Sequence, residues 1–361
     1  MIILALALFT SILFGKAALG ERIPWLDSYN VVWNTPSENS SQSMPVGGHS
    51  IGLNVWVEDG DLLFYVQRSG SFTENNEYHK LGRVRVRLEP NPFAAGAEFH
   101  QELKLRRGHV EIRGKSDACD ATFVVWVETR RPVVHVEVNS SHDVHALVAY
   151  EGWRNEVQEL GLEKGGSRPR FGCFSWDCYP GKIYRYPDVV RHEGRDVLFY
   201  HRNRDDKLLF DYMVDQQGLE SVRHSLVNTQ KGRTFGGLLA GDGFVAAGVE
   251  NGEYLGTPYK AWKLKSDRSR KKHAIRIYTH VDQTETLDEW SDELNQLVKS
   301  NVSDEVARKE ARAWWNDFWN RSWLVINPQV PDPNTSSWQV GRNYQLFRYQ
   351  LGCNAAGEYP S

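Results

Sequence analysis

Midway along the chain, Tyr150-Glu151-Gly152-Trp153-Arg154-Asn155 sets a carboxylate, an indole and a guanidinium side by side, and Trp176-Asp177 repeats the aromatic–carboxylate pairing. These are residue types that grip a sugar. An aromatic face buries the apolar C–H side of a pyranose, while Asp, Arg and Asn hydrogen-bond its hydroxyls. Glu151, Trp153, Arg154, Trp176 and Asp177 are therefore the candidate substrate-binding residues, with an oligo- or polysaccharide as the expected partner. The competing reading places both indoles in a core and pairs Arg154 locally. Carboxylates abound, with 46 Asp and Glu in 361 residues, but abundance does not make a catalytic pair, and no catalytic residue is assigned.

Other chemistries lack their motifs. The chain has no GxSxG, no glycine-rich loop ending in GK[ST], and no Cys or His spacing suited to zinc. Neither a cofactor nor a metal is expected. His142-Asp143-Val144-His145 reads as a polar strand end, and Thr234-Phe235-Gly236-Gly237 and Gly241-Asp242-Gly243 read as strand turns. Lys265–His273 reads as an exposed hairpin loop. A net charge of −3 leaves no basic excess for nucleic acid. Composition is that of a folded protein, 40% hydrophobic and 25% charged.

Residues 2–14 (IILALALFTSILF) fall short of the roughly 20 apolar residues that span a bilayer. Small residues at Ala18 and Gly20 follow, so residues 1–20 are expected to be a signal peptide. A secreted or periplasmic protein follows from that, with no other membrane contact. Export permits disulfides. Cys173 and Cys178 could close a small loop, whereas Cys119 and Cys353 have no evident partner, and four free thiols remain the alternative.

These candidates need a scaffold, and from about residue 50 to 280 its period is two. Leu53, Val55 and Val57 alternate with polar neighbours up to the turn dipeptide Asp59-Gly60. Val84, Val86 and Leu88 alternate with Arg83, Arg85 and Arg87, predicting one buried face and one solvated basic face. Segments 102–105, 110–113, 123–127, 133–138, 197–200, 207–214, 244–249 and 273–279 are read as further strands. So many short strands predict a mainly β chain built on a large two-sheet sandwich.

At residue 286 the period changes. Thr286-Leu287-Asp288-Glu289 is a capping-box pattern, and Leu287, Trp290, Leu294 and Leu297 follow at helical spacing. Ser303 can cap a second helix carrying Trp314, Trp315, Phe318 and Trp319, whose two aromatic stripes predict packing between two bodies. A third helix presents Val340, Tyr344, Phe347 and Leu351 on one face, which needs a partner. Exposed, that face would favour self-association through the C-terminal helices.

The order of a large sandwich, an aromatic helix (Ala313-Trp314-Trp315-Asn316-Asp317-Phe318-Trp319-Asn320-Arg321-Ser322) and the helix around Tyr344–Tyr349 resembles the front half of certain glycoside hydrolases. These join an N-terminal β-super-sandwich to an (α/α)6 toroid, as in the inverting α-L-fucosidases and the maltose and kojibiose phosphorylases. Met44–Gly48, Tyr150–Asn155 and Thr234–Gly237 more closely resemble the domain of unknown function 5703 within that group. The resemblance implies a signal peptide (1–20), a super-sandwich (21–280), linker helices (281–322) and the first helix of a toroid (323–361). In such enzymes a toroid carboxylic acid protonates the glycosidic oxygen, and a base or phosphate acts from the opposite face. Twelve helices would need on the order of 200 residues, whereas 39 follow Ser322. Catalytic groups on a toroid therefore find no counterpart here, and Glu358, in a loop facing the cleft of such enzymes, lacks its surroundings. The expectation is the N-terminal part of a secreted glycoside hydrolase-like protein acting on carbohydrate, without turnover on its own; the alternative is a non-catalytic carbohydrate-binding or scaffolding β-sandwich.

Overall fold

The computed structural model describes residues 24–160, 179, 181–206, 209–300, 302–322, 324–326 and 332–357. The expected signal peptide, Cys173, Trp176, Asp177, Cys178 and Glu358 lie outside the described residues. The first strands are β1 (Val31–Trp33), β2 (Met44–Gly48), β3 (Ile51–Glu58), β4 (Asp61–Arg68) and β5 (Gly82–Glu89). Next come β6 (Glu98–Lys104), β7 (His109–Lys115), β8 (Asp120–Val127), β9 (Val133–Gly152), β10 (Gln158–Leu160) and β11 (Ile183–Arg185). β12 (Val189–Glu193) and β13 (Asp196–Arg202) precede a short helix, α1 (Leu209–Gln216). The last strands are β14 (Arg233–Gly241), β15 (Phe244–Tyr254), β16 (Thr257–Ser266) and β17 (Arg270–Gln283). Three helices close the chain: α2 (Leu287–Lys299), α3 (Asp304–Arg321) and α4 (Ser336–Asn354).

One strand belongs to both sheets. The 20-residue β9 pairs along its first part with β8 and β17, and from His145 onward with β5 and β16. Around it run a first sheet in the order β1-β6-β7-β8-β9-β17-β14-β13-β12 and a second in the order β2-β3-β4-β5-β9-β16-β15. Both sheets turn alternate side chains into one core, where Val55, Phe64, Val84 and Val86 meet Ile112, Phe123, Val125 and Val136. The two-residue turn Asp59-Gly60 has φ of +51° and +80°, the left-handed pair that a tight hairpin requires.

Of the segment 207–214, read as a strand, residues 209–214 are instead helix in α1, with Leu209 and Val214 buried, and 207 and 208 lie outside the described residues. Its run of apolar residues has no clean alternation, so period alone could not separate strand from helix.

The three later helices start where the sequence places their caps. Thr286 and Glu289 form a reciprocal capping box, and the Ser303 hydroxyl accepts from the Val306 backbone N–H. Trp290 and Leu294 of α2 pack on Tyr200 and Tyr278, on the outer face of the first sheet. In α3 one aromatic stripe is buried and the other only half-buried. Trp315 lies over Gly108, where a Cβ would stand 2.0 Å from its ring, and stacks on Tyr349 of α4 at 5.2 Å. Trp319 donates from Nε1 to the Leu105 carbonyl at 2.9 Å. Trp314 and Phe318 stack on each other at 5.5 Å. The helix is thus held between the sandwich and α4.

α4 presents to the sandwich a face other than the one its apolar spacing suggests. Gln345, Tyr349 and Gly352 are buried, and the Tyr349 hydroxyl donates to the Pro45 carbonyl at 3.1 Å. Gly341 beside Tyr29 and Gly352 against Trp315 permit that close approach. Val340, Phe347 and Leu351 are 55%, 60% and 51% exposed. Among the described residues, Cys119 and Cys353 are free, buried thiols, and burial pushes Cys353 up to about 12. No helix among the described residues is long and apolar enough to cross a membrane.

Candidate functional site

The second sheet carries a charged outer face. Strand alternation puts Asp61 and Tyr65 of β4, Arg83, Arg85 and Arg87 of β5, and Glu151 of β9 on the side opposite the core. Register sets Tyr65 beside Arg83 and Arg83 beside Glu151. The β15–β16 hairpin then turns at Leu255-Gly256, both with positive φ, and brings the rings of Tyr254 and Tyr259 over Arg83 at 3.9 and 5.1 Å. The result is a cleft of about 230 Å³, walled by Tyr65, Trp153, Tyr254 and Tyr259, with Arg83 and Glu151 inside it and Lys80 beside Tyr65.

The arginine row is solvated, as its alternation predicts, at Arg87, but it is half-buried at Arg85 and sealed at Arg83. Glu151, 1% exposed, accepts from Arg83 Nε and from Arg85 Nε at 2.5 Å. Asp61, equally buried, accepts from Arg85 Nη1 at 2.6 Å and Arg87 Nε at 2.5 Å. Cation and carboxylate thus alternate from Arg83 to Arg87. Burial alone would lower Arg85, but Glu151 and Asp61 outweigh it and raise its pKa. Tyr254 is anchored by its hydroxyl on Glu58 at 2.9 Å, and the Ser40 backbone N–H donates to it at 2.9 Å. Lys80 holds its ammonium 4.2 Å from the Tyr65 ring, and burial lowers its pKa.

Of the five residues singled out from the sequence, the structure brings Glu151 and Trp153 together in this cleft. Trp153 is half-buried and meets Tyr65 edge-on at 5.9 Å, so it forms a wall and does not fill the core. Arg154 does not line the cleft. It donates from Nε to Asp188 at 3.0 Å and from Nη1 to the Lys80 carbonyl at 2.9 Å, which is the local-pairing reading. By that second bond it positions the backbone that bears the cleft's ammonium. Trp176 and Asp177 lie outside the described residues.

Behind Arg154, His201 joins the network through Nδ1 to Asp188 at 3.2 Å and Nε2 to Glu74 at 3.0 Å. Burial alone would lower the imidazole, but those two hydrogen bonds outweigh it and hold its pKa up at about 9. Burial would raise Asp188, yet Arg154 and His201 hold it low.

Tyr65, Lys80, Arg83, Tyr254 and Tyr259 escape a reading of the sequence because they come from separate strands. The one signal was the Arg83-Arg85-Arg87 alternation, which needed a partner row to be read correctly. A wider depression of about 790 Å³ passes Arg68, Tyr78 and Arg233. There Arg68 bonds the Ser50 carbonyl and Arg233 the Gly70 and Thr229 carbonyls, so both guanidiniums serve the backbone. His280, Asp282 and Glu293 each bring one ligand atom within 4.8 Å of the others. The His280–Glu293 contact of 2.8 Å ties α2 to β17.

The cleft does not hold the carboxyl pair of an inverting glycosidase. Inverting glycoside chemistry needs two carboxyl groups roughly 6.5–9.5 Å apart. Glu151 is the one carboxylate among the residues lining the cleft, and both its oxygens are engaged by arginines.

Fold and site together define a two-sheet β-super-sandwich with a small aromatic cleft on one outer face. The profile of the N-terminal DUF5703 domain, described as a domain of unknown function, matches residues 32–324, and the chain belongs to this family. Among solved structures it is similar to a putative kojibiose phosphorylase from the human microbiome, at 12% identity and a TM-score of 0.48, covering 90% of this chain and 41% of that one. It is also similar to a bacterial glucoamylase complexed with acarbose, at 8% identity and a TM-score of 0.40, covering 90% of this chain and 44% of that one. The chain thus spans less than half the length of each. No curated protein matches it significantly.

Two outcomes test this network. Replacing Glu151→Ala strands the buried Arg83 without its carboxylate and should cost about 3–5 kcal/mol in urea denaturation. An unchanged midpoint would mean that the pair contributes nothing. His201, raised from 6.5 to about 9, contributes stability that is whole below pH 6.5 and lost as pH rises through about 9. Melting temperature should therefore fall across that window more steeply in the native chain than in His201→Gln; parallel curves would contradict the assignment.

Proposed function

We propose that this chain is the carbohydrate-binding front part of a secreted, glycoside hydrolase-like protein, and that it holds a sugar unit against Trp153 without cleaving it. The observation that carries this reading is the cleft, in which four aromatic rings surround a buried carboxylate and two cations. Ring faces suit the C–H side of a pyranose, and the charged groups suit its hydroxyls. The resemblance of the sandwich and aromatic helix to the front of toroid-bearing glycoside hydrolases supports the same substrate class. Absence of turnover by this chain alone is consistent with the lone carboxylate in the lining, held by Arg83 and Arg85.

Calorimetric titration of the full chain against a panel of neutral and acidic oligosaccharides tests the proposal. Binding to at least one class is expected, and Trp153→Ala should weaken it roughly tenfold, the size of a lost ring contact. Silence across the panel would sink the binding function, and release of reducing sugar by the chain alone would sink its non-catalytic part. Export is part of the same proposal. N-terminal sequencing of the secreted protein should begin at Glu21, and an intact Met1 would refute processing.

A further inference from the structure

We propose that the cleft selects an acidic sugar, a hexuronate, whose carboxylate is taken by Lys80 and by Nη2 of Arg83. This deepens the preceding proposal and rests on it. The donors and acceptors of the cleft are unequal. Arg83, 2% exposed, uses only Nε, toward Glu151; its two terminal nitrogens donate to no acceptor among the described residues, and Nη1 is buried. Nη2, which is not buried in this way, is the terminal nitrogen open to a ligand oxygen, as a charge-assisted contact. Lys80 faces the Tyr65 ring and ion-pairs with no carboxylate among the described residues.

On the acceptor side, Glu151 already receives Arg83 and Arg85. The lining therefore holds two cations, Lys80 and Arg83, against one carboxylate. Beneath it, Arg85 and Arg87 are already matched by Asp61, by part of Glu151 and by the nearby Glu250, so the unmatched charge is that of the lining itself. A neutral sugar brings hydroxyls that both donate and accept, and leaves this surplus unmatched. A uronate brings an acceptor-only group of opposite charge.

Two further observations favour this over a generally basic surface. The whole chain is net negative, at −3, so the positive cleft is a local feature. Its four aromatic rings also give it walls, which a flat basic surface lacks. A volume of about 230 Å³ fits a single sugar unit, with the rest of an oligosaccharide extending into solvent.

The test is an NMR titration of the full chain with methyl glucuronide, methyl glucoside and glucose 6-sulfate. The glucuronide should bind roughly tenfold more tightly than the glucoside, a preference that shrinks with added salt. In Lys80→Gln, which leaves the Arg83–Glu151 pair in place, the ratio should collapse toward one. Equal affinities for glucuronide and glucoside would overturn the inference while leaving sugar binding intact. Tighter binding of the sulfate would overturn the assignment to a carboxylate. Binding of neither glycoside, with an NMR spectrum showing a folded chain, would remove the sugar-binding reading itself.

Discussion

The register between β5 and the last residues of β9 is the constraint on which the site and much of the second sheet rest. It sets Arg83 opposite Glu151 on the outer face and Val84 opposite Tyr150 on the inner one. Tyr150 is buried, stacks on Phe199 at 4.2 Å, and donates its hydroxyl to the Leu81 carbonyl at 2.6 Å. Gly82 makes room for that ring, since a Cβ there would come within 2.7 Å of it. A slip of one residue would drive Glu151 into an apolar core and expel Tyr150, because side chains change face at every step. Buried ion pairs return little net stability when set against their desolvation, but they penalise every pairing that leaves a charge alone. Alternation of Arg83, Glu151, Arg85, Asp61 and Arg87 thus acts as a register lock.

That lock also explains why the cleft is suited to recognition. Its carboxylate is engaged on both oxygens, so it is poorly placed to shuttle a proton. The same engagement makes the floor rigid, with Tyr254 and Tyr259 laid across a guanidinium that is fixed on one side. A rigid, pre-ordered surface loses little entropy when a ligand is seated on it. Arg154, set behind the cleft, extends the rigidity by tying the Lys80 backbone to Asp188 and, through it, to His201 and Glu74.

The helices use the sandwich in another way. α2 and α3 cover the first sheet, while α4 lies against β2 and β3 and joins the main core through Tyr349 and Cys353. α4 has a docked side and an apolar outer side. One side is consumed by the sandwich, and Val340, Phe347 and Leu351 remain outside. Spacing of apolar residues revealed the second side but not the first, because the docked side is made of Gly341, Gln345, Arg348 and Gly352 as much as of rings. Close approach, more than hydrophobicity, selects that side.

Local chemistry was readable from the residues in order. The Asp59-Gly60 turn, the Thr286–Glu289 box and the Ser303 cap each depend on neighbours within a few positions, and the alternation of β3, β5 and β7 needs only a strand's own period. Glu151 and Trp153 could be suspected for their side-chain types. What they do could not, because their partners lie on β4, β5 and the β15–β16 hairpin, and only hydrogen-bonded register says which arginine meets which acid. An Arg on a polar strand face is solvated or sealed according to what lies across from it and above it. Here Glu151 stands across from Arg83 and Tyr254 lies above it, and those two long-range neighbours turn an ordinary basic strand into the sealed floor of a cleft.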